Sequence, residues 1–415
     1  MKFIFSMALI VSTLFALNYH GCTLAPDNLH GWVACLDSVL ILKTTDGGMT
    51  WQPQSVPINT KRFFDVTCTD NQNAWTCGVL GEILHTTDGG ANWFGQVIGL
   101  SKYATRIEFY DLNYGWAVCG DGAVGRTTDG GGYWDNIFLP WLYEFYGVSF
   151  IDTMSGWIVA GYPDSMLTGQ GLVVKSTNGG INWDSVYQVS DYKDFFDVHF
   201  FNLLEGIVVG GDETDTSAII IRTTNGGLSW DIIAAPTNAY YLRAVDFVDN
   251  NGWAVGRFGT IIYTSDAGNT WTFQNNPSTT TLFDVDFSDR QHGIACGQDI
   301  ILITSNGGQT WIETSINEHN NNNTCIPYLK IYPNPSKSFC NIEINPNLSI
   351  NEIKIYDVSG RLVKNLMVPS SYFLVPTIIT WDGRDNNGNK SSTGIYTVVI
   401  DTKQTNQRAK IILLE

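Results

Sequence analysis

Short runs of alternating apolar and polar residues recur along most of this chain. FFDVTC at 63–68 is followed by AWTCG at 74–78, and LFDVDF at 282–287 by GIACG at 293–297. Alternation with period two, in runs this short and punctuated by Gly, Asn and Asp, predicts β-strands joined by turns. A third run, such as TIIYTS at 260–265, leads into a Gly-rich turn, and a Trp opens the run after it. That makes four strands in a unit of about 40 residues, the dimensions of a propeller blade.

The turn recurs seven times: TTDGGMTW ending at Trp51, TTDGGANW at Trp93, TTDGGGYW at Trp134, STNGGINW at Trp183, TTNGGLSW at Trp230, TSDAGNTW at Trp271 and TSNGGQTW at Trp311. Successive tryptophans are 42, 41, 49, 47, 41 and 40 residues apart. A second mark precedes each turn: Gly31-Trp32, Ala74-Trp75, Gly115-Trp116, Gly156-Trp157, Gly206-Ile207, Gly252-Trp253 and Gly293-Ile294. These two slots hold 12 of the 14 tryptophans, so the aromatic excess belongs to the repeat. The polar residue of each turn (Asp46, Asp88, Asp129, Asn178, Asn225, Asp266, Asn306) can bond backbone amides of its own turn. The glycines allow the positive φ of a tight hairpin. The Trp can pack against the neighbouring unit.

The pattern changes at both ends. Lys2 followed by the apolar run Phe3–Leu17 reads as a secretory signal peptide, too short for a membrane span. No later segment is long and apolar enough to cross a membrane. Cleavage falls after Ala16 or nearer Gly21; Cys22 raises a lipoprotein reading, against which stand Tyr19 and His20 where a lipobox has small or aliphatic residues. Beyond Trp311 the Asn-rich stretch 319–326 reads as a linker. Residues 327–415 carry other marks: Tyr332-Pro333-Asn334-Pro335, IYDVSGR with Gly360 and Arg361, Trp381-Asp382-Gly383 and Gly394-Ile-Tyr396. Alternation in EIKIYDV and IYTVVI predicts a small β-sandwich.

The turn resembles the Asp-box of bacterial neuraminidase repeats. With the GWAVG-type strand, residues 22–318 are most similar to the seven-bladed propeller of the photosystem II assembly and stability factors. That resemblance places the turns on the outer rim, so their Asp, Asn and Trp residues are expected to be structural. Residues 327–415 resemble the C-terminal sorting domain of type IX secretion cargo, of the Ig-like kind. This implies partnership with the type IX machinery, outer-membrane translocation, and a secreted or cell-surface location. The expected fold is all-β: a signal peptide over 1–21, a seven-bladed propeller, a linker and an Ig-like sandwich.

Net charge is −17, with 40 acidic against 23 basic residues. Residues 327–415 are net +3, so the propeller part holds −20. Such an acidic surface excludes a nucleic-acid binder. Export permits disulfides. Cys68 with Cys77, or Cys325 with Cys340, are candidate pairs, with single buried thiols the alternative; no CxxC or Cys/His cluster reads as a zinc site.

In a propeller the first strand of each blade lines the axis. Aligning those strands on Val66, Ile107, Val148, Val198, Val245 and Val285 gives one flanking slot of Asp65, Arg106, Gly147, Asp197, Ala244 and Asp284. The other reads Thr67, Glu108, Ser149, His199, Asp246 and Asp286. This mostly acidic ring is a candidate site for a cation, calcium included, or for a polar ligand; the alternative is a water-filled channel whose charges solvate one another. No EF-hand spacing supports calcium, and no cofactor is expected. A sialidase-type site would need an arginine cluster and a Tyr/Glu pair, and the FRIP-type element that precedes sialidase Asp-boxes is absent. GxSxG, HExxH and P-loop motifs are absent as well. Insertions at Gly161–Gly171 and Gly211–Ser217, with Trp141, Tyr143, Phe145, Tyr146 and Tyr162 nearby, are candidate binding loops or interblade packing. The expectation is a non-catalytic module that binds or scaffolds a surface protein or glycan. The alternative is an Asp-box glycoside hydrolase built on two opposed channel carboxylates. An intracellular assembly role conflicts with the sorting domain.

Overall fold

The computed structural model describes residues 18–36, 40–57, 62–99, 103–120, 122–140, 143–161, 171–189, 193–211, 217–314, 329–332, 336–337, 339–344, 350–357, 361–366, 377–402 and 406–414. The chain divides into two units, Met1–Asn317 and Glu318–Glu415. The expected leader (but for its last residues), the Asn-rich linker, Cys325, Pro333, Asn334, Pro335, Gly360, Trp141, Tyr162 and the interiors of both insertions lie outside the described residues.

The first unit is seven antiparallel sheets of four strands, each meandering outward in chain order. The innermost strands are Tyr19–Leu24, Phe63–Cys68, Ala104–Phe109, Glu144–Phe150, Asp194–Phe200, Leu242–Val248 and Leu282–Phe287. Each lies beside the next, and the last lies beside the first, so the ring closes. Every described blade is contiguous in sequence, and none borrows a strand from the other end of the chain. The first strand begins at Tyr19, so a boundary at 22 cuts through it. Cys22 lies mid-strand, its amide donating to Asp284 Oδ2 at 2.8 Å and its side chain buried.

The second strand of each blade is buried on both faces, which is why GWAVC and its counterparts are almost wholly apolar. Trp75, Trp116, Trp157 and Trp253 each stack on a Phe of the next blade, with ring centroids 3.5 to 3.8 Å apart. That Phe meets the Asp-box Trp of its own blade edge-on, as Phe150 meets Trp183 at 5.8 Å. The second-strand indoles also reach across: Trp116 Nε1 donates to Gly179 O at 2.9 Å, and Trp253 Nε1 to Gly307 O at 3.0 Å. Interblade packing is therefore written into both Trp slots.

All seven Asp-boxes close on themselves. In the first, Thr44 Oγ1 donates to Asp46 Oδ1 at 2.8 Å and accepts from Gly48 N at 2.9 Å, while Thr50 N donates to Asp46 Oδ1. The same bonds recur around Asp88, Asp129, Asn178, Asn225, Asp266 and Asn306. The asparagines serve because the pattern needs only one accepting oxygen.

Cys68 and Cys77 are free thiols, not a pair, and Cys340 is free as well. Cys68 faces Ala74 and Cys77 faces Asp65 in the ladder, so their side chains leave the sheet at different points. Tyr143 and Phe145 are buried against blade-three residues such as Trp116, which assigns them to interblade packing.

Among its described residues the second unit has a three-stranded and a four-stranded antiparallel sheet around one core. Trp381 and Tyr396 form its centre, with rings 5.1 Å apart. Trp381 Nε1 donates to Arg384 O at 2.9 Å, and Asp382 accepts from Arg384 N, closing the turn in which Gly383 takes φ 68°. Arg361 pairs with Asp357 at 2.9 Å. Gly394 opens the strand that carries Tyr396, and Tyr332 closes the strand Leu329–Tyr332.

Candidate functional site

The innermost strand of a blade has one bare edge facing the axis, and its amides need partners there. The predicted channel residues supply them. Asp65 accepts from Ile107 N of the next blade at 2.9 Å, Asp197 from Val245 N at 3.0 Å, and Asp284 from Cys22 N at 2.8 Å. In the other slot Glu108 accepts from Phe150 N, Asp246 from Phe287 N and Asp286 from Leu24 N, at 3.0, 2.8 and 2.7 Å. Ser149 Oγ plays the same part for Phe200 N. Each side chain thus clips its blade to the next. Two of the clips, from Asp284 and Asp286, close the ring.

Arg106 crosses the axis. Its guanidinium lies 2.7 Å from Asp284, 3.2 Å from Asp197 and 3.7 Å from Asp65, joining blade three to blades seven, five and two. The three carboxylates facing the axis are thereby paired with a guanidinium, in place of the metal ion a calcium site would need. Among the described residues no group of three or more His, Cys, Asp or Glu side chains is arranged to hold a metal. Asp65, Asp197 and Asp284 are all but buried, while Glu108, Asp246 and Asp286 keep part of their surface exposed.

One guanidinium cannot neutralise six acids. Burial raises Asp65 and Asp286 to about 7, Asp197 to about 6 and Glu108 to about 8, and lifts Asp246 well above the carboxylate range. Burial opposes the charge on Arg106, but Asp197, Asp284 and Asp65 outweigh it and hold the guanidinium protonated. His199 Nδ1 lies 3.6 Å from Asp246, yet burial lowers the imidazole to about 4, so it is neutral at pH 7.

The sign of the pH dependence follows. An acid whose folded pKa is raised stabilises the fold below its unfolded value and loses that contribution as pH rises through the folded value. His20, His85 and His199, all lowered to about 4, act in the opposite sense between about 4 and 6.5. Above 6.5 the acids act alone. The thermal midpoint is expected to fall by several degrees between pH 6.5 and 8.5 in scanning calorimetry. Glu108→Gln keeps an oxygen for Phe150 N and is expected to flatten that fall. An unchanged slope in the variant would remove Glu108 from the account.

At one mouth of the channel lies a feature missing from the alignment. Each innermost strand bulges one residue before the acidic slot, as the register shows between Phe63 and Asp65 and between Leu282 and Asp284. The bulged residues are His20, Phe64, Thr105, Tyr146, Phe196, Arg243 and Phe283. His20 stacks on Phe283 at 5.1 Å and meets Phe64 edge-on; Tyr146 leans on Phe196, and Arg243 lies 4.5 Å over the Phe196 ring. Burial and then the charge of Arg243 lower His20 to about 4. Both insertions spring from this end, since Gly161 pairs with Glu144 and Gly211 with Asp194.

Of the propeller arginines, Arg243 and Arg257 both lie over the ring of Tyr241, at 5.2 and 5.4 Å. Arg126 and Arg222 bond carbonyls of neighbouring turns on the rim, at Gly179 and Ala267. Arg290 pairs with Asp249 on the surface, and Arg257 lies over Tyr241 and Phe258.

The family model described as photosynthesis system II assembly factor YCF48 matches residues 14–103 and 180–279. That of a secretion system C-terminal sorting domain matches residues 330–414. No curated protein matches the chain. Among solved structures, "YCF48 bound to D1 peptide" is similar at 19% identity and TM-score 0.56, covering 71% of this chain and 94% of that one. YCF48 from Cyanidioschyzon merolae is 20% identical with TM-score 0.55, covering 70% and 95%. The WD40 propeller of Doa1 is 10% identical with TM-score 0.54, covering 69% and 92%. At these identities the solved structures speak for the propeller fold alone.

Proposed function

For this chain, which joins a propeller of the photosystem II assembly-factor type to a type IX secretion sorting domain, we propose the role of an exported binding module that does no chemistry. The sorting domain marks it for the cell surface or for secretion. The observation that carries the reading is that each axial carboxylate already holds a backbone amide of the next blade. A glycoside hydrolase needs one carboxyl free to give a proton and a second free to attack or to activate water.

The ligand meets the aromatic mouth around Arg243, where the insertions of blades four and five begin. A polypeptide is favoured over a glycan, because one similar propeller is named as holding a peptide. Hydrolysis has one residue in its favour: Glu108, raised to about 8 as a general acid would be. The test is incubation of the full chain with sialylated and xyloglucan oligosaccharides, assayed for new reducing ends. No release is expected; release that Glu108→Gln abolishes would overturn the reading. A partner captured by the wild type and lost by Arg243→Ala would place binding at the mouth, and equal capture by both would remove it from there.

A further inference from the structure

The ring closes between its first and last blades without exchanging a strand, so its seam rests on side chains and hydrogen bonds. Ile294 and Leu24 occupy the slots where other interfaces stack Trp on Phe. Cys22 lies in the first innermost strand and Cys296 in the second strand of the last blade. Cys296 faces Asp284 across its own sheet, and Asp284 accepts the Cys22 N–H at 2.8 Å. That bond sets the two cysteines side by side across the seam. Both thiols are free, and each shifts the other's ionisation as a close neighbour does. Both lie in one apolar cluster with Tyr19, Leu24, Ile294 and Ile301, and almost no surface of either reaches solvent.

We propose that Cys22 and Cys296 form a disulfide in the exported protein, a covalent clasp that locks the propeller at its seam. The sorting domain takes the chain out of the reducing cytoplasm and into an oxidising compartment, and there such a bond persists. The two thiols give up two protons and two electrons, and a thiol–disulfide oxidant of the cell envelope accepts the electrons. One cysteine thiolate attacks the oxidant's disulfide, forms a mixed disulfide and expels one oxidant thiolate. The second thiolate then attacks the cysteine sulfur of that mixed disulfide and expels the other, leaving the oxidant as a dithiol.

The exchange precedes closure of the seam. In the closed ring burial raises both thiols and suppresses the attacking thiolate. The bond would close a loop spanning nearly the whole propeller, the case in which chain-entropy models give a disulfide its largest effect. Of the other thiols, Cys77 Sγ donates to Ala104 O at 3.3 Å, and Cys35 shares the cluster but stands opposite Tyr19, while Cys22 stands opposite Val33.

The test uses the full chain purified from the cell surface or medium, denatured without reductant and alkylated. Cleavage with trypsin and Asp-N protease cuts at Asp27 and separates Cys22 from Cys35. The expected product is one linked peptide pair, Cys22 with Cys296, that disappears on reduction. Alkylation of both cysteines before reduction, or a link from Cys22 to Cys35, would overturn the clasp. Reductant is expected to lower the thermal midpoint of the wild type by several degrees and to leave the Cys22→Ala/Cys296→Ala double variant unmoved. Equal shifts in both would count against it.

Discussion

Replacing Arg106 by Met is expected to lower the thermal midpoint of the propeller by about 10 °C at pH 7.5, and by much less at pH 5. Removing one partner of a buried ion pair costs about 3–5 kcal/mol, because the other charge stays buried and unpaired. For a domain of this size each kcal/mol moves the midpoint by roughly 2–4 °C. Here one residue serves three carboxylates on three other blades. Without it Asp65, Asp197 and Asp284 face one another across the axis, held by the amides of Ile107, Val198, Val245 and Cys22. Acid relieves the variant by putting protons on Asp65 and Asp197, which burial already raises. The wild type gains less, since its guanidinium already holds them. Arg106→Lys is expected to fall between, because an ammonium is a point charge and lacks the fork that reaches three partners. Calorimetry at both pH values decides the matter. A loss of equal size at pH 5 and 7.5 would mean that the arginine acts by filling space rather than by charge.

The repeat was legible in the sequence because it is written in residues that allow few substitutes. The Asp-box needs one accepting oxygen and two residues of positive φ, and Trp in two fixed slots leaves a count that chance does not produce. The axial ring was legible as a set of residues but not as an arrangement. Alternation places Asp65, Arg106, Asp197 and Asp284 in one slot, but nothing local says that the arginine of blade three reaches blades two, five and seven. Nor does it say that each carboxylate bonds an amide of the blade ahead of it. Partners some 40 residues away, or 262 away at the seam, come from closure of the ring. The aromatic mouth was illegible for a different reason. A bulge inserts one residue into the period of two, so Phe64, Phe196 and Phe283 fall on the apolar side by count and on the axial side in space. The first strand was read short because His20 and Gly21 break the apolar run just where a leader was expected to end.

The Gly that precedes the second-strand Trp has a cause visible only in three dimensions, and it yields a test with an internal control. Gly156 lies opposite Phe150 in the ladder, and a Cβ there would stand 2.4 Å from the Phe150 ring. The ring is held between the Gly156 backbone and the Trp116 indole of the previous blade, 3.5 Å away. The same pairing joins Gly115 to Phe109, Gly206 to Phe200, Gly252 to Phe247 and Gly293 to Phe287. Blade two departs at both positions at once: Cys68 stands where the Phe would be, and it faces Ala74 where the Gly would be. A smaller side chain admits the extra methyl. Phe150→Cys alone is therefore expected to cost about 3 kcal/mol, in the range for emptying a buried aromatic site. Gly156→Ala alone should cost about 1–3 kcal/mol through overpacking. The double variant rebuilds the blade-two arrangement and is expected to fall short of the sum by about 1–2 kcal/mol, the coupling of residues in contact. Denaturant unfolding of the four proteins measures that coupling. Strictly additive losses would show that the glycine is held by something other than the ring beside it.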